Sequence, residues 1–302
     1  MKCINFNSER NYLKELKRII YFFYHIFGRF LSDRLYTNLV FFYNCIRIRR
    51  PWYYLNIVTP KSFNEKINWI KFKIRNPLSP EVADKLAVRD YVRDKIGEEY
   101  LVHVYSFHNG VEEIEFDKLP SQYVIKFNSG SGVNFICSDS ENIETSQVKS
   151  FFKKALKVDL YHYSREWHYR LIKPKILIER FLGKNIKDYK IHCSGNSGPF
   201  CIQVDSDRFH NHKRNLYDLK WQLLDLEYVY PKALEKDEEP VNLQLMINLA
   251  EKLSRDFIYS RIDFYEVEGR VYFGEITLHP EGGLGPFRSY SEDLFFGGFV
   301  DL

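Results

Sequence analysis

Two carboxylates near the carboxyl end, Asp263 and Glu275, lie in RIDFYEVEGRVYFGEIT, two alternating stretches joined at Glu268 and Gly269. Alternation groups Arg261, Asp263 and Tyr265 on one strand face, and Phe273, Glu275 and Thr277 on a face of the next. A three-residue loop of Glu268, Gly269 and Arg270 sets Asp263 directly opposite Glu275, whereas a two-residue Glu-Gly turn shifts the register. Carboxylates facing each other at about 5 Å repel unless a cation or a shared proton sits between them. Mg²⁺ suits such a pair, because it prefers oxygen ligands and takes one or two carboxylates together with substrate phosphates. No Cys/His group with zinc spacing competes for the role. The alternative reading is a surface hairpin salt-bridged through Arg261.

A second group surrounds Lys126, which ends QYVIKF and is followed by NSGSGVN. Gly130 and Gly132 leave backbone N–H groups free to wrap an anion, and a lysine at the strand end reaches the same anion as a point charge. The alternative, which the loop alone favours, is a hairpin turn beside a solvated lysine. KILIERFLG reads as a buried strand whose end, Glu179 to Leu182, could present backbone groups to an adenine ring. DYKIHC puts Asp188 and Lys190 on one face, fit for ribose hydroxyls and phosphate or for a plain exposed ion pair. Arg208, His210 and Lys213 in DSDRFHNHKRN, and Arg288 in LHPEGGLGPFRSY, could hold a carboxylate or sugar acid.

These residues need strands and helices to position them. Leu13, Leu16, Ile20, Phe23, Phe27 and Phe30 recur at three- and four-residue steps, as on an amphipathic helix. Ser62 and Glu65 have capping-box spacing ahead of Phe63, Ile67, Ile70 and Ile74. SPEVADKLAVRDYVRDKIG offers Ser79 as cap, Pro80 at the first helical position and Gly97 as terminator, so the first hundred residues are expected to be mainly helical. Beyond Gly97 come β-rich runs, QYVIKF, VNFIC, KILIERFL, DYKIHCSG, PFCIQVDS, FIYSRIDFYEV and RVYFGEIT, with helices near 146–157 and 241–255. The pattern predicts an α+β architecture with antiparallel sheets, divided as 1–96, 97–175 and 176–302.

A chain of 302 residues with 45% hydrophobic content can bury a sizeable core. Its five scattered cysteines show no disulfide or CxxC pattern, which suits a reducing cytosol. The stretch 19–28 is about half the roughly 20 residues a membrane span needs, so no span and no cleaved signal are expected. Residues 1–60 hold ten Lys/Arg against Glu9, Glu15 and Asp33, so the net charge of +4 is an amino-terminal property. Such a segment could touch an anionic membrane, or simply be a solvated helix face.

Taken in order, Lys126 with its glycine loop, ILIERFL, DYK, RIDFY and GEIT resemble the ATP-grasp superfamily, and most closely its TupA-like, teichuronopeptide-type family. FNEKINW, DKLAVRDYV and LPSQYVIKFNSGSG carry the likeness upstream, so it spans about residues 60 to 300. The resemblance implies an ATP-grasp fold, two subdomains with antiparallel sheets clasping ATP, preceded by a helical region. By the same likeness Lys126 and Ser129, Gly130, Ser131 and Gly132 hold phosphates, and Glu179, Arg180, Phe181 and Leu182 line the adenine pocket. Asp188 and Lys190 face ribose and phosphate, while Asp263, Glu275 and Thr277 bind Mg²⁺. Thr277 stands where many such enzymes carry Asn. Lys126 and Arg261 serve the transferred phosphoryl group. The implied activity is carboxylate–amine ligation through an acyl phosphate, on carboxylate- and amine-bearing small molecules or glycans of a cell-surface polysaccharide precursor. The expected setting is cytoplasmic, with peripheral contact at the inner membrane face through the basic amino-terminal helices and no nucleic acid. The rival readings are a nucleotide-sugar glycosyltransferase, for which DSD at 205–207 is the nearest motif, and a membrane-surface adaptor.

Overall fold

The computed structural model describes residues 28–130, 134–138, 144–156, 159–183, 186–207 and 211–302. The helix expected from Leu13 lies outside them except for Gly28–Phe30, a short 3-10 turn. The chain forms two compact units, Met1–Tyr36 with His103–Phe181, and Thr37–Val102 with Leu182–Leu302. The expected boundary at 175/176 therefore moves to 181/182. The reason is that Ile176–Arg180 hydrogen-bonds between two strands of the first unit.

The first unit is built on a four-stranded antiparallel sheet in the order β1-β4-β2-β3. Its strands are β1 (Val104–His108), β2 (Tyr123–Phe127), β3 (Asn134–Cys137) and β4 (Ile176–Arg180). Alternation turns Tyr123, Ile125 and Phe127 to a core that also holds Ile176, Ile178, Val148 and Phe152. Val148 and Phe152 come from the helix Thr145–Ala155. Lys126 is thereby left on the opposite face of β2.

The second unit carries a five-stranded antiparallel sheet, β7-β6-β5-β8-β9. The strands are β5 (Asp188–Ser194), β6 (Gly198–Ser206), β7 (Lys213–Tyr217), β8 (Tyr259–Val267) and β9 (Arg270–Thr277). One face, with Tyr189, Ile191, Ile202, Val204, Ile262, Phe264 and Phe273, packs on Met246, Ala250 and Leu253 of the helix Leu243–Ser254. The other face changes character along the strands. At one end Cys201, Leu216 and Tyr259 pack with Phe63, Phe287 and Phe296, and at the other end the inward residues are charged.

Helices of residues 33–96 surround this sheet, Val82, Val88, Tyr91 and Val92 joining the first-face core and Phe63, Ile67 and Ile70 the second. Numbered along the chain, they are α1 (Asp33–Arg47), α2 (Phe63–Lys73), α3 (Ser79–Ala83) and α4 (Val88–Ile96). The Ser62–Glu65 capping box forms as expected, with Ser62 accepting from the Glu65 N–H and Glu65 accepting from the Ser62 N–H at 3.0 Å. Phe63, the first residue of α2, meets the rings of Tyr228, Tyr259, Phe287 and Phe296 at 5.0 to 6.1 Å. The stretch from Ser79 to Gly97 departs from expectation, because it forms two helices and Leu78 is the first cap. Asp84 breaks it, its Oδ1 accepting from the N–H groups of Leu86 at 2.8 Å and Ala87 at 3.3 Å. Lys85 is thus placed in the turn between them. Among the described residues, no helix is long and apolar enough to cross a membrane.

Candidate active site

The hairpin of β8 and β9 pairs Asp263 with Glu275, Ile262 with Ile276 and Arg261 with Thr277. The route differs from the one expected. Val267 pairs with Arg270, so the turn is the two-residue Glu268-Gly269, with φ of 51° and 74° as a type I′ turn requires. That register alone would miss the carboxylate pairing. A bulge between Asp263 and Phe264 on one strand, absorbed at Gly274 on the other, restores it. The bulge also corrects the face assignment, since Phe273 pairs with Phe264 in the core while Glu275 and Thr277 turn to the charged face. A Cβ at Gly274 would lie 3.0 Å from the Asp263 carbonyl oxygen and 3.2 Å from the Tyr265 ring.

Around this pair the charges interlock. Arg261 grips Asp263 in bidentate fashion, Nε to Oδ1 at 2.7 Å and a terminal nitrogen to Oδ2 at 2.8 Å. The same guanidinium reaches Thr277 Oγ1 at 3.1 Å and Glu275 Oε1 at 3.5 Å. Lys190, directly across from Asp263 on β5, bonds to Asp263 Oδ2 and lies 3.4 Å from Asp188 Oδ2. Lys85 approaches Glu275 Oε2 at 3.3 Å. Burial alone would raise the Glu275 carboxyl, but Lys85, Lys190 and Arg261 outweigh it and hold it near a pKa of about 2. Burial likewise disfavours the Arg261 charge, and Asp263 more than compensates.

The charged face continues along β6 and β7. Asp205 accepts from Arg214 Nε at 2.6 Å and from Gln203 Nε2 at 3.0 Å, and Arg214 reaches Glu281 Oε1 at 3.2 Å. Burial works against the Asp205 anion, yet Arg214 drives its pKa far below the carboxylate range. His192, fully buried between Tyr259 Oη at 2.7 Å and Gln203 Oε1 at 3.1 Å, is kept neutral by burial and by Arg261. Lys85, His192, Gln203, Asp205, Arg214 and Glu281 were not among the expected site residues. Strand alternation would have flagged Asp205 and Arg214, had β7 been recognised inside the supposed loop DSDRFHNHKRN. Lys213 accordingly stands on a strand and pairs with Ser206. Arg208 and His210 lie outside the described residues. Arg288 is engaged by Asp225 at 3.3 Å and by Glu292.

In the first unit, Lys126 and Glu179 form an ion pair between β2 and β4. Gly130 has φ 73° and packs against Leu160, after Asn128, whose side chain binds the backbone of Lys173 and Lys175. Ser129 is half-buried, and Ser131 and Gly132 lie outside the described residues. Arg180 is exposed and Phe181 half-buried, and Leu182 opens the second unit.

Residues 65–300 match the family model described as TupA-like ATPgrasp. The chain belongs to that family. The fold of this TupA-like ATP-grasp protein is therefore α+β, as expected from its sequence. No curated protein matches it. Solved structures that resemble it include the D-alanine–D-alanine ligase of Bacillus anthracis, at 14% identity, a TM-score of 0.40 and coverage of 66% of this chain and 57% of that one. The D-alanine–D-alanine ligase of Helicobacter pylori follows at 15%, 0.41, 80% and 70%. N5-carboxyaminoimidazole synthetase from Staphylococcus aureus gives 15%, 0.37, 66% and 44%. The chain thus spans roughly half the length of two of the three.

The donor set of this TupA-like ATP-grasp site fits a hard divalent cation. Asp263, Glu275 and Thr277 offer only oxygen, the two acids face each other, and the surrounding cations keep Glu275 ionised. Cys45 and Cys193 are buried, and burial pushes both thiols up to about 12, so neither is poised as a nucleophile.

Proposed function

We propose that this TupA-like ATP-grasp protein is an ATP- and Mg²⁺-dependent carboxylate–amine ligase. The observation that carries the reading is the pairing of Asp263 with Glu275 on a charged sheet face, flanked by Arg261 and Lys190. Such a face suits phosphoryl transfer, in which positioning and electrostatics supply most of the catalysis. Asp263, Glu275 and Thr277 would hold the metal. When bound, the metal neutralises charge on the transferring phosphoryl oxygens.

Arg261 and Lys190 add fixed positive charge beside the same carboxylates, and in the first unit Lys126 supplies another cation, from a strand that leads into the glycine-containing loop. Ser129, Gly130, Ser131 and Gly132 are assigned to the nucleotide phosphates, Glu179, Arg180, Phe181 and Leu182 to adenine, and Asp188 to ribose. A substrate carboxylate oxygen attacks the γ-phosphorus as the bond to ADP breaks. An amine then attacks the acyl carbon of the resulting acyl phosphate. Phosphate leaves, the nitrogen gives up a proton, and the amide remains. No protein nucleophile is consumed.

The acceptor class proposed with this reading is a uronic-acid sugar of a cell-surface polysaccharide precursor, joined to an amino acid in the cytoplasm. Arg208, His210, Lys213 and Arg288 are assigned to its anionic groups. Incubation with ATP, Mg²⁺ and pooled amino acids and uronates, scored by ADP release and product mass, tests both levels. ADP release with a condensed product supports the ligase, and the product mass names the class. Failure of every carboxylate–amine pair to release ADP would overturn it.

A further inference from the structure

Helix α1 is apolar on two sides and buries only one. Phe41 and Cys45 pack against Leu55 and Leu284, and Asn38 fastens the helix by exchanging hydrogen bonds with the Leu55 backbone at 2.8 and 3.3 Å. Asn44 adds a third tie, to the Leu284 carbonyl at 3.0 Å. The helix is therefore held firmly, and its outer face is fixed.

That outer face is a stripe. Leu35, Leu39, Phe42 and Ile46 follow one another at helical steps of four, three and four, and the last three are 43, 43 and 59% exposed. Trp52 extends the stripe, its ring edge-on to Phe42 at 5.6 Å and 48% exposed. A contiguous row of exposed apolar side chains marks an interaction surface. Exposed Arg47 and Arg49 stand at its carboxyl end, whereas neighbouring Arg50 is taken up by Glu227 and Asp33 by Arg165 at 3.0 Å. Apolar side chains along a helix, an indole at the edge and arginine at the rim are what an anionic bilayer surface binds. Pairing of this face with the same face of a second copy would bring like-charged arginines together, whereas an anionic lipid surface neutralises them.

We propose that the outer face of α1, with Trp52, Arg47 and Arg49, is a docking surface for anionic phospholipid. The helix lies in the headgroup layer, with Leu39, Phe42 and Ile46 inserted among the acyl chains and the arginines paired with phosphates. This goes beyond the ligase reading and does not depend on it, since binding is measured without nucleotide.

The full chain is to be floated with vesicles of phosphatidylcholine alone or mixed with phosphatidylglycerol, in low and high salt. Recruitment is expected only to the mixed vesicles, and it weakens as salt rises. Combined Phe42→Glu and Ile46→Glu substitutions lower the partition at least about tenfold. Arg47→Gln or Arg49→Gln lowers it about fivefold each. Brominated lipid quenches an indole signal that Trp52→Phe removes. The substituted positions are exposed, and unchanged melting and circular dichroism establish that each variant folds. Three results would overturn the proposal. They are no recruitment to the mixed vesicles, recruitment untouched by Phe42→Glu with Ile46→Glu, and a lipid-free dimer in sedimentation that those substitutions dissociate.

Discussion

Two groups of acids lie on the second unit, and their surroundings are opposite. Asp188, Asp263 and Glu275 share the charged sheet face with Lys85, Lys190 and Arg261. Asp293, on the helix Tyr290–Gly297, is buried with neutral donors only, the Tyr53 hydroxyl at 2.7 Å, the Asn64 N–H at 3.0 Å and the Asn64 amide at 3.1 Å. Cations hold Glu275 ionised near a pKa of about 2, whereas burial lifts Asp293 to about 6 despite its hydrogen bonds. The contrast separates an acid kept charged, as the proposed cation site needs, from an acid that ties helices together. A structural acid gains from a proton, and a ligand-binding acid must resist one.

The largest effect expected from this contrast is on turnover. Glu275→Gln should reduce Mg²⁺-dependent ADP release more than about a thousandfold and lose the stability that Lys85, Lys190 and Arg261 give the carboxylate, while circular dichroism still shows a folded protein. Asp263→Asn should lose as much activity and also about 3 kcal/mol of stability, since it strips Arg261 and Lys190 of their shared partner. Asp293→Asn should leave turnover per folded molecule unchanged. Full activity in Glu275→Gln, or lost activity in Asp293→Asn, would collapse the distinction.

Next in size is the pH dependence. The Asp293 pKa is raised on folding from 3.8 to about 6, so the native state binds the extra proton. Its contribution is present below pH 3.8 and is lost as pH rises through 6, on the order of 3 kcal/mol. Glu275 has the opposite sign, its contribution being present above pH 4.5 and lost as pH falls through about 2. Urea unfolding between pH 4 and 7 should therefore show a falling component that Asp293→Asn removes and Glu275→Gln retains.

A smaller effect probes how the site is shaped. Gly274→Ala places a methyl against the Asp263 carbonyl and the Tyr265 ring, so the bulge must shift. We expect about a tenfold loss of ATP turnover with about 1 kcal/mol of destabilisation, read from kinetics and melting. The smallest concerns Arg288, which is itself partly exposed and pairs with exposed Asp225 and with buried Glu292, an acid also held by the Glu227 N–H at 3.2 Å. Arg288→Ala should cost under about 1 kcal/mol, and if this residue grips the acceptor it raises the acceptor KM without lowering the ATP affinity.

Local signals were legible where they were self-contained. The capping box at Ser62, the terminating Gly97 and the alternating strands β2, β4, β5, β8 and β9 stand where the sequence placed them. The pairing of Asp263 with Glu275 was legible too, although for an incomplete reason. A two-residue turn and a bulge at Gly274 together give the register that a three-residue turn would have given. Two compensating irregularities cannot be separated by counting residues. Lys85 was hidden because its role depends on Asp84 breaking a helix and aiming the next residue at a strand far along the chain. Arg214 was hidden because β7 is a charged strand, and its partner Asp205 became visible only through cross-strand pairing. Helix α1 was not singled out because polar Thr37 and Asn38 fall on its buried side while Leu39, Phe42 and Ile46 are exposed.

Asp263 and Glu275 are proposed to hold the metal of the nucleotide site. The most direct measurement is calorimetric titration of Mg²⁺ into the protein saturated with a non-hydrolysable ATP analogue, comparing the parent chain, Glu275→Gln and Asp293→Asn. The account predicts a metal-binding heat in the parent and in Asp293→Asn, with affinity at least about tenfold weaker in Glu275→Gln. Equal affinity in all three would contradict it.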